Sequence, residues 1–197
     1  MRKSLGSKRD QKKMQHQREL KELKIEVVEK GERDLYYFDE AGFSLTPSVP
    51  YGWQPLGERI ELPSSRSPQL NVLGFMRHDG THLDPYVTQG TVDSSVVIAC
   101  IDNFCQNLIR PTTLVIDNAP VHGSAEFAAM VPEWEANNLF LWFLPPYSPE
   151  LNLIEILWKQ IKYRWLPIDA YDTFEKLTQS LDTILANVGQ QFKICFN

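Results

Sequence analysis

Residues 94–117, SSVVIACIDNFCQNLIRPTTLVID, decide the fold class. Apolar positions recur at Val97, Ile98, Ile101, Phe104, Cys105 and Leu108, a period near 3.6 that predicts a helix over 94–108. After Pro111 the run Thr112 to Ile116 is short, β-branched and uninterrupted, as expected of a strand covered on both faces. A helix that links strands in this way is a βαβ unit, so the class is α/β. The buried strand runs directly into a carboxylate, Asp117.

Upstream, Leu35 to Phe43 is a nearly continuous apolar run broken by Asp39 and Glu40 and closed by Gly42, which predicts a first, central strand. Thr46 to Pro68 is rich in Pro, Gly and Ser and reads as a hairpin or loop with a short strand at 59–62. Strands follow at 69–76 and 85–89, with His78-Asp79-Gly80 as the turn between them. Downstream, Ser124 has N-cap chemistry for a helix carrying Phe127, Met130 and Trp134, which Pro132 should kink or split. Leu139 to Leu144 is another strand, stopped by Pro145-Pro146. Ser148-Pro149-Glu150 then predicts a helix start, with the helix running to about Trp165, and a final helix spans Thr173 to about Asn187. Three strands followed by alternating helices and strands is the element order of a ribonuclease H-like fold. Its mixed central sheet would have about five strands flanked by helices.

The chain of 197 residues, 43% hydrophobic, suits one such domain. Its net charge of −5 conceals a division: residues 1–30 hold 10 Lys/Arg against 5 Asp/Glu, a net of +5, and residues 31–197 hold 10 against 20, a net of −10. The expected organisation is therefore a basic arm or linker remnant over 1–30 and an acidic α/β domain over 31–197. A basic arm suits either a nucleic-acid contact or a solvated leader. The acidic body argues against a broad DNA-coating surface and suits carboxylates that a divalent cation must neutralise. Cys100, Cys105 and Cys195 are odd in number and lack zinc-ligand spacing, which fits a reducing cytoplasm, and no stretch approaches the roughly 20 apolar residues of a membrane span.

Asp39, Asp117 and Glu155 each sit in an apolar setting, two on strands and one on the helix after Ser148. A buried lone carboxylate costs several kcal/mol unless it is paired or binds a metal. Ligands of α/β sheets gather at the carboxyl ends of the strands, so neighbouring strands would bring Asp39 and Asp117 to one edge. On the helix, Ile154, Leu157, Trp158, Ile161 and Trp165 make the apolar stripe, while Glu155, Lys159 and Lys162 share another face. For an arbitrary helix that face would be a solvated salt-bridge ladder. The Pro-rich connection before it fixes where Glu155 points and favours a site.

Three blocks resemble the catalytic blocks of DDE transposases, most of all the bacterial insertion-sequence branch of the mariner superfamily. They are Tyr-Phe-Asp39-Glu-Ala-Gly-Phe, Ile-Asp117-Asn-Ala-Pro-Val-His, and Pro-Pro-Tyr-Ser-Pro-Glu-Leu-Asn-Leu-Ile-Glu155-Ile-Leu-Trp. The resemblance spans Tyr36 to Trp165 and departs from the usual pattern at Leu153, where the family commonly has Pro, and in the 37 residues between Asp117 and Glu155. It implies metal-dependent DNA cleavage and strand transfer, with Asp39, Asp117 and Glu155 as catalytic ligands of two Mg²⁺ or Mn²⁺ ions and Asp39 bridging them. Asn118 and His122 recur in the family's pattern and are candidates to support Asp117 or touch phosphate. Lys159, Lys162 and Arg59 are candidate DNA contacts, whereas strand alternation turns Glu40 away from Asp39 and gives it a structural role. Tyr51 and Trp53 could also grip DNA, although Trp53 reads better as a packing residue.

The implied partners are transposon-end and target DNA, a second copy of the chain on DNA, and a helix-turn-helix partner encoded upstream. No membrane partner is expected, and the implied location is the bacterial cytoplasm and its nucleoid. Full-length relatives are expected to carry helix-turn-helix domains ahead of this one, and Arg2-Lys3-Ser4-Leu5 resembles the junction, so Met1 is expected to start a truncated gene or second reading frame. Two other readings compete. A phosphatase of the haloacid dehalogenase type would need an Asp two places after Asp39, where Ala41 stands. A truncated or domesticated fragment would bind DNA or a partner without cutting, but all three carboxylates are retained.

Overall fold

A computed structural model describes residues 5–47, 56, 68–145 and 148–196. The expected strand at 59–62, together with Tyr51, Trp53, Arg59, Pro146, Tyr147 and the first four residues, lies outside the described residues. Five strands form one sheet: β1 (Asp34–Phe43), β2 (Leu70–Arg77), β3 (Leu83–Gln89), β4 (Thr112–Ile116) and β5 (Leu139–Phe143). Their order is β3-β2-β1-β4-β5, with β1 central, antiparallel to β2 and parallel to β4, and with β4 parallel to β5. This is the mixed, ribonuclease H-like sheet that the element order predicts. Pro85 sits in β3, an edge strand, where a missing N–H can face away from the ladder.

Strand alternation divides the core in two. Leu35, Tyr37, Ala41 and Phe43 of β1 pack on one face with helices α4 (Ile154–Gln160) and α5 (Phe174–Ala186). Tyr36 and Phe38 pack on the other with α2 (Ser94–Gln106) and α3 (Ala125–Ala136). A residue at an odd position of β1 therefore faces α4, and one at an even position faces α2 and α3. Each fully buried Leu, Ile or Phe in these layers contributes roughly 1.5–3 kcal/mol. Asp93, Ser124 and Thr173 cap α2, α3 and α5, each accepting at 3.1 Å from the backbone N–H three residues on.

Three sequence expectations are modified. The stretch expected as a basic arm or linker remnant holds helix α1 (Leu5–Lys24), which continues through a π-helical turn at Ile25–Glu29; Val27 is buried in the core and Leu20 and Leu23 pack against it. Helix α3 is not divided by Pro132, since Phe127 and Trp134 bury one on each side of it and Trp134 donates its indole N–H to Asp102 at 2.5 Å. The segment from Ser148 to Trp165 is a 3₁₀ turn (Pro149–Leu151), then α4, then a π-helical turn (Ile161–Trp165). The interruption between the 3₁₀ turn and α4 is where Asn152 turns inward, 2% exposed.

Candidate active site

Strands β1 and β4 are parallel neighbours whose last paired couple is Tyr37 and Val115. Asp39 and Asp117 each lie two residues farther on, so register alone sets them level at the carboxyl end of the sheet. Asp39 is at an odd position and faces α4, which carries Glu155 in its first turn. All three carboxylates line one cavity of about 430 Å³, with Asn118, Ser148 and Asn152 among its polar walls. A larger depression of about 800 Å³ has Glu40 as the one ionisable group of its described lining, so the smaller cavity is the chemically equipped one.

Several contacts hold these carboxylates. Asp117 accepts from the backbone N–H of Ala119 at 3.0 Å and meets His122 Nδ1 at 2.9 Å, while the same ring nitrogen lies 3.1 Å from the Asp117 carbonyl. Asn118 donates its side-chain amide to the Leu144 carbonyl, and the Leu144 N–H donates to the Ile116 carbonyl at 2.7 Å, tying the end of β4 to the end of β5. Trp158, one of the stripe residues of α4, donates its indole N–H to Asp39 Oδ2 at 3.2 Å. Asn152 donates its side-chain amide to the Phe38 carbonyl at 3.0 Å.

Electrostatics single out Asp39. Burial, then the negative charge of Glu155, raise its pKa to about 7, and Asp117 adds to the rise. Asp117 is held below the ordinary carboxylate range, chiefly by its hydrogen bond to His122. At His122 burial is the largest influence and favours the neutral ring. The side chain and carbonyl of Asp117, with the charge of Glu40, outweigh it and leave the pKa raised. Burial also raises the pKa of Glu40, on the opposite face of β1 from Asp39. Among the described residues neither Glu40 Oε2 nor His122 Nε2 has a hydrogen-bond partner, although both atoms are buried.

The described lining of the cavity contains no Lys, Arg or His to offset three carboxylates. Its donors are hard oxygens, the set that suits Mg²⁺ or Mn²⁺, and the repulsion felt by Asp39 is of the kind a divalent cation relieves. Among the described residues, no three His, Cys, Asp or Glu side chains converge on one centre. The carboxylates share a cavity without closing on a single point.

The other sequence candidates are placed unevenly. Asn118 lines the cavity, and His122 touches Asp117 from behind. Lys159 is exposed in the last turn of α4, whereas Lys162 lies with its ammonium 5.2 Å from the centre of the Phe43 ring; neither lines the cavity. Sequence reading passed over Asn152 and used Trp158 only as an apolar stripe residue. Helical spacing offered no signal for the pair, because Asn152 stands in extended backbone before α4 and Trp158 belongs to the apolar stripe. Among the described residues, no helix is long and apolar enough to cross a membrane.

The sequence matches the family described as DDE superfamily endonuclease over residues 34–178. No curated protein matches it significantly. Among solved structures, the Mos1 mariner paired end complex with Mn aligns at a TM-score of 0.56 and 18% identity, covering 77% of this chain and 48% of that one. The Mos1 transposase paired-end complex with left transposon end gives 0.56 and 16%, covering 80% and 49%. The catalytic domain of Mos1 mariner transposase gives 0.50 and 14%, covering 77% and 69%. The match thus spans about half the length of the chains in the paired-end complexes, and at these identities the likeness is one of fold. The chain itself belongs to the DDE superfamily endonuclease family.

Proposed function

From membership of the DDE superfamily endonucleases we propose that this chain is the catalytic domain of a transposase of the bacterial insertion-sequence type, cutting DNA strands and transferring their ends. The observation that supports this most is the meeting of Asp39, Asp117 and Glu155 on one cavity at the carboxyl end of the sheet. In this reading Asp39 would hold two Mg²⁺ or Mn²⁺ ions, with Asp117 and Glu155 holding one each; such a pair supplies activation of the attacking hydroxyl and stabilisation of the leaving oxygen.

The chain's own residues supply placement. His122 and the Ala119 N–H fix the rotamer of Asp117, and Asn118 keeps the loop after β4 beside β5. Trp158 orients one oxygen of Asp39, which lines the cavity. No side chain need become a covalent intermediate, because hydroxyl attack on phosphorus exchanges one P–O bond for another. Lys159, exposed one turn beyond Glu155, would meet a DNA phosphate in this reading, and two copies would act on paired ends.

The test is Mn²⁺-dependent cleavage of duplex DNA carrying the element's terminal repeats, with Asp117→Ala and Glu155→Gln as variants. Both should lose cleavage while DNA binding persists. Activity that survives Asp117→Ala refutes the three-carboxylate mechanism, and a chain that binds DNA but never cuts it is a binding protein on a transposase fold.

A further inference from the structure

Glu155 is the one carboxylate of the three that the sheet does not place. Asp39 and Asp117 are fixed level with each other by strand register, but Glu155 depends on where a short helix comes to rest. The residues three before and three after it both reach across to β1. Asn152 donates to the carbonyl of Phe38, the residue immediately before Asp39, and Trp158 donates to the carboxylate of Asp39 itself.

Each contact carries a sign that it is more than packing. Asn152 is 2% exposed, and its Oδ1 has no hydrogen-bond partner among the described residues. Only the amide nitrogen can face a carbonyl, so the direction of the Phe38 bond fixes which end of the side chain is left unpaired. The bond meets the Phe38 carbonyl while leaving an unmet buried acceptor on the same side chain, a cost that satisfying that carbonyl alone does not require. Trp158, 3% exposed, fits because β2 offers a glycine where its ring lands. A Cβ on Gly74 would lie 2.8 Å from Trp158 Cη2 and 3.0 Å from Ile154 Cδ1, and Gly74 is the residue paired with Asp39. The same position thus clears the space for the ring whose N–H meets the carboxylate.

We propose that Asn152 and Trp158 are positioning residues that clamp the α4 segment to β1 on both sides of Glu155, fixing the Glu155 carboxylate relative to Asp39, with Gly74 as the seat of the clamp. This rests on the reading of Asp39 and Glu155 as ligands of divalent ions. The clamp predicts that losing one N–H weakens ion binding, while the fold and the route to cleavage persist.

The experiment compares wild type with Trp158→Phe, which keeps an aromatic ring in the core and removes the N–H. Mn²⁺ affinity is measured on the protein without DNA, from the free-Mn²⁺ electron paramagnetic resonance signal, well below the melting temperature of each protein. The expected result is a Kd for Mn²⁺ raised about 10-fold or more, the usual effect of losing a partner of a metal ligand. Cleavage should fall at low Mn²⁺ and recover when Mn²⁺ is raised, which a mere folding defect does not do. Should Trp158→Phe not fold, Gly74→Ala carries the same test, because it keeps the indole and displaces it. Wild type that neither binds Mn²⁺ nor cuts sinks the proposed function. Wild type that does both, beside a folded variant with unchanged Mn²⁺ affinity, overturns the clamp alone.

Discussion

Replacing Asp39 with Asn should stabilise the metal-free protein at alkaline pH. The folded pKa of Asp39 is raised from 3.8 to about 7, by burial first and then by Glu155. A carboxyl whose folded pKa is raised contributes stability that is complete below its unfolded pKa and is lost as pH rises through the folded one. The difference of about 3 units corresponds to roughly 4 kcal/mol over the whole titration, of which about 2 kcal/mol is lost between about pH 5.5 and about pH 8. Asn cannot ionise and retains an oxygen to accept from Trp158. Urea unfolding in the presence of a chelator, for both proteins at both pH values, isolates this group, because other titrating residues such as His122 are common to the two. The stability of Asp39→Asn relative to wild type should grow by about 2 kcal/mol from the lower pH to the higher. An equal difference at the two pH values would show that Asp39 carries no such penalty, and the electrostatic argument for a cation in this cavity would fall with it.

Two further outcomes follow from the same contacts. Saturating Mn²⁺ should raise the melting temperature of wild type more at about pH 8 than at about pH 5.5, since protons and the ion compete for Asp39, and scanning calorimetry reads the difference directly; a shift independent of pH would count against Asp39 as a ligand. His122→Ala should lower cleavage by about 10- to 100-fold through loss of the hydrogen bond to Asp117, while His122→Asn, which can place an amide N–H near the same point, retains most of the activity. Full activity in the Ala variant would remove His122 from the site.

Much of the arrangement was legible in the chain because period and burial carry it. The run Thr112 to Ile116 reads as doubly covered and is buried throughout, and the alternation of β1 correctly separates the directions of Asp39 and Glu40. The spacing around Trp134 gave α3, but the effect of Pro132 was misjudged, because a break there would expose Phe127 and Trp134, which lie in one buried cluster. The helix drawn from Ser148 to Trp165 was right in place and wrong in form, because local cap chemistry could not register the demand of the Phe38 carbonyl for a donor.

That failure is informative about how such a site is built. Strand register is a long-range property that a sequence expresses through alternation, so the two strand-borne carboxylates could be read in advance. The place of a helix-borne carboxylate is set by side chains reaching across to another element, and these have no period. In sequence Asn152 draws no attention and Trp158 looks like a stripe residue, yet in the proposed clamp the two decide where Glu155 stands relative to Asp39. A chain that keeps all three carboxylates but changes Gly74, Asn152 or Trp158 would therefore look intact by its acidic residues alone while its third carboxylate is displaced.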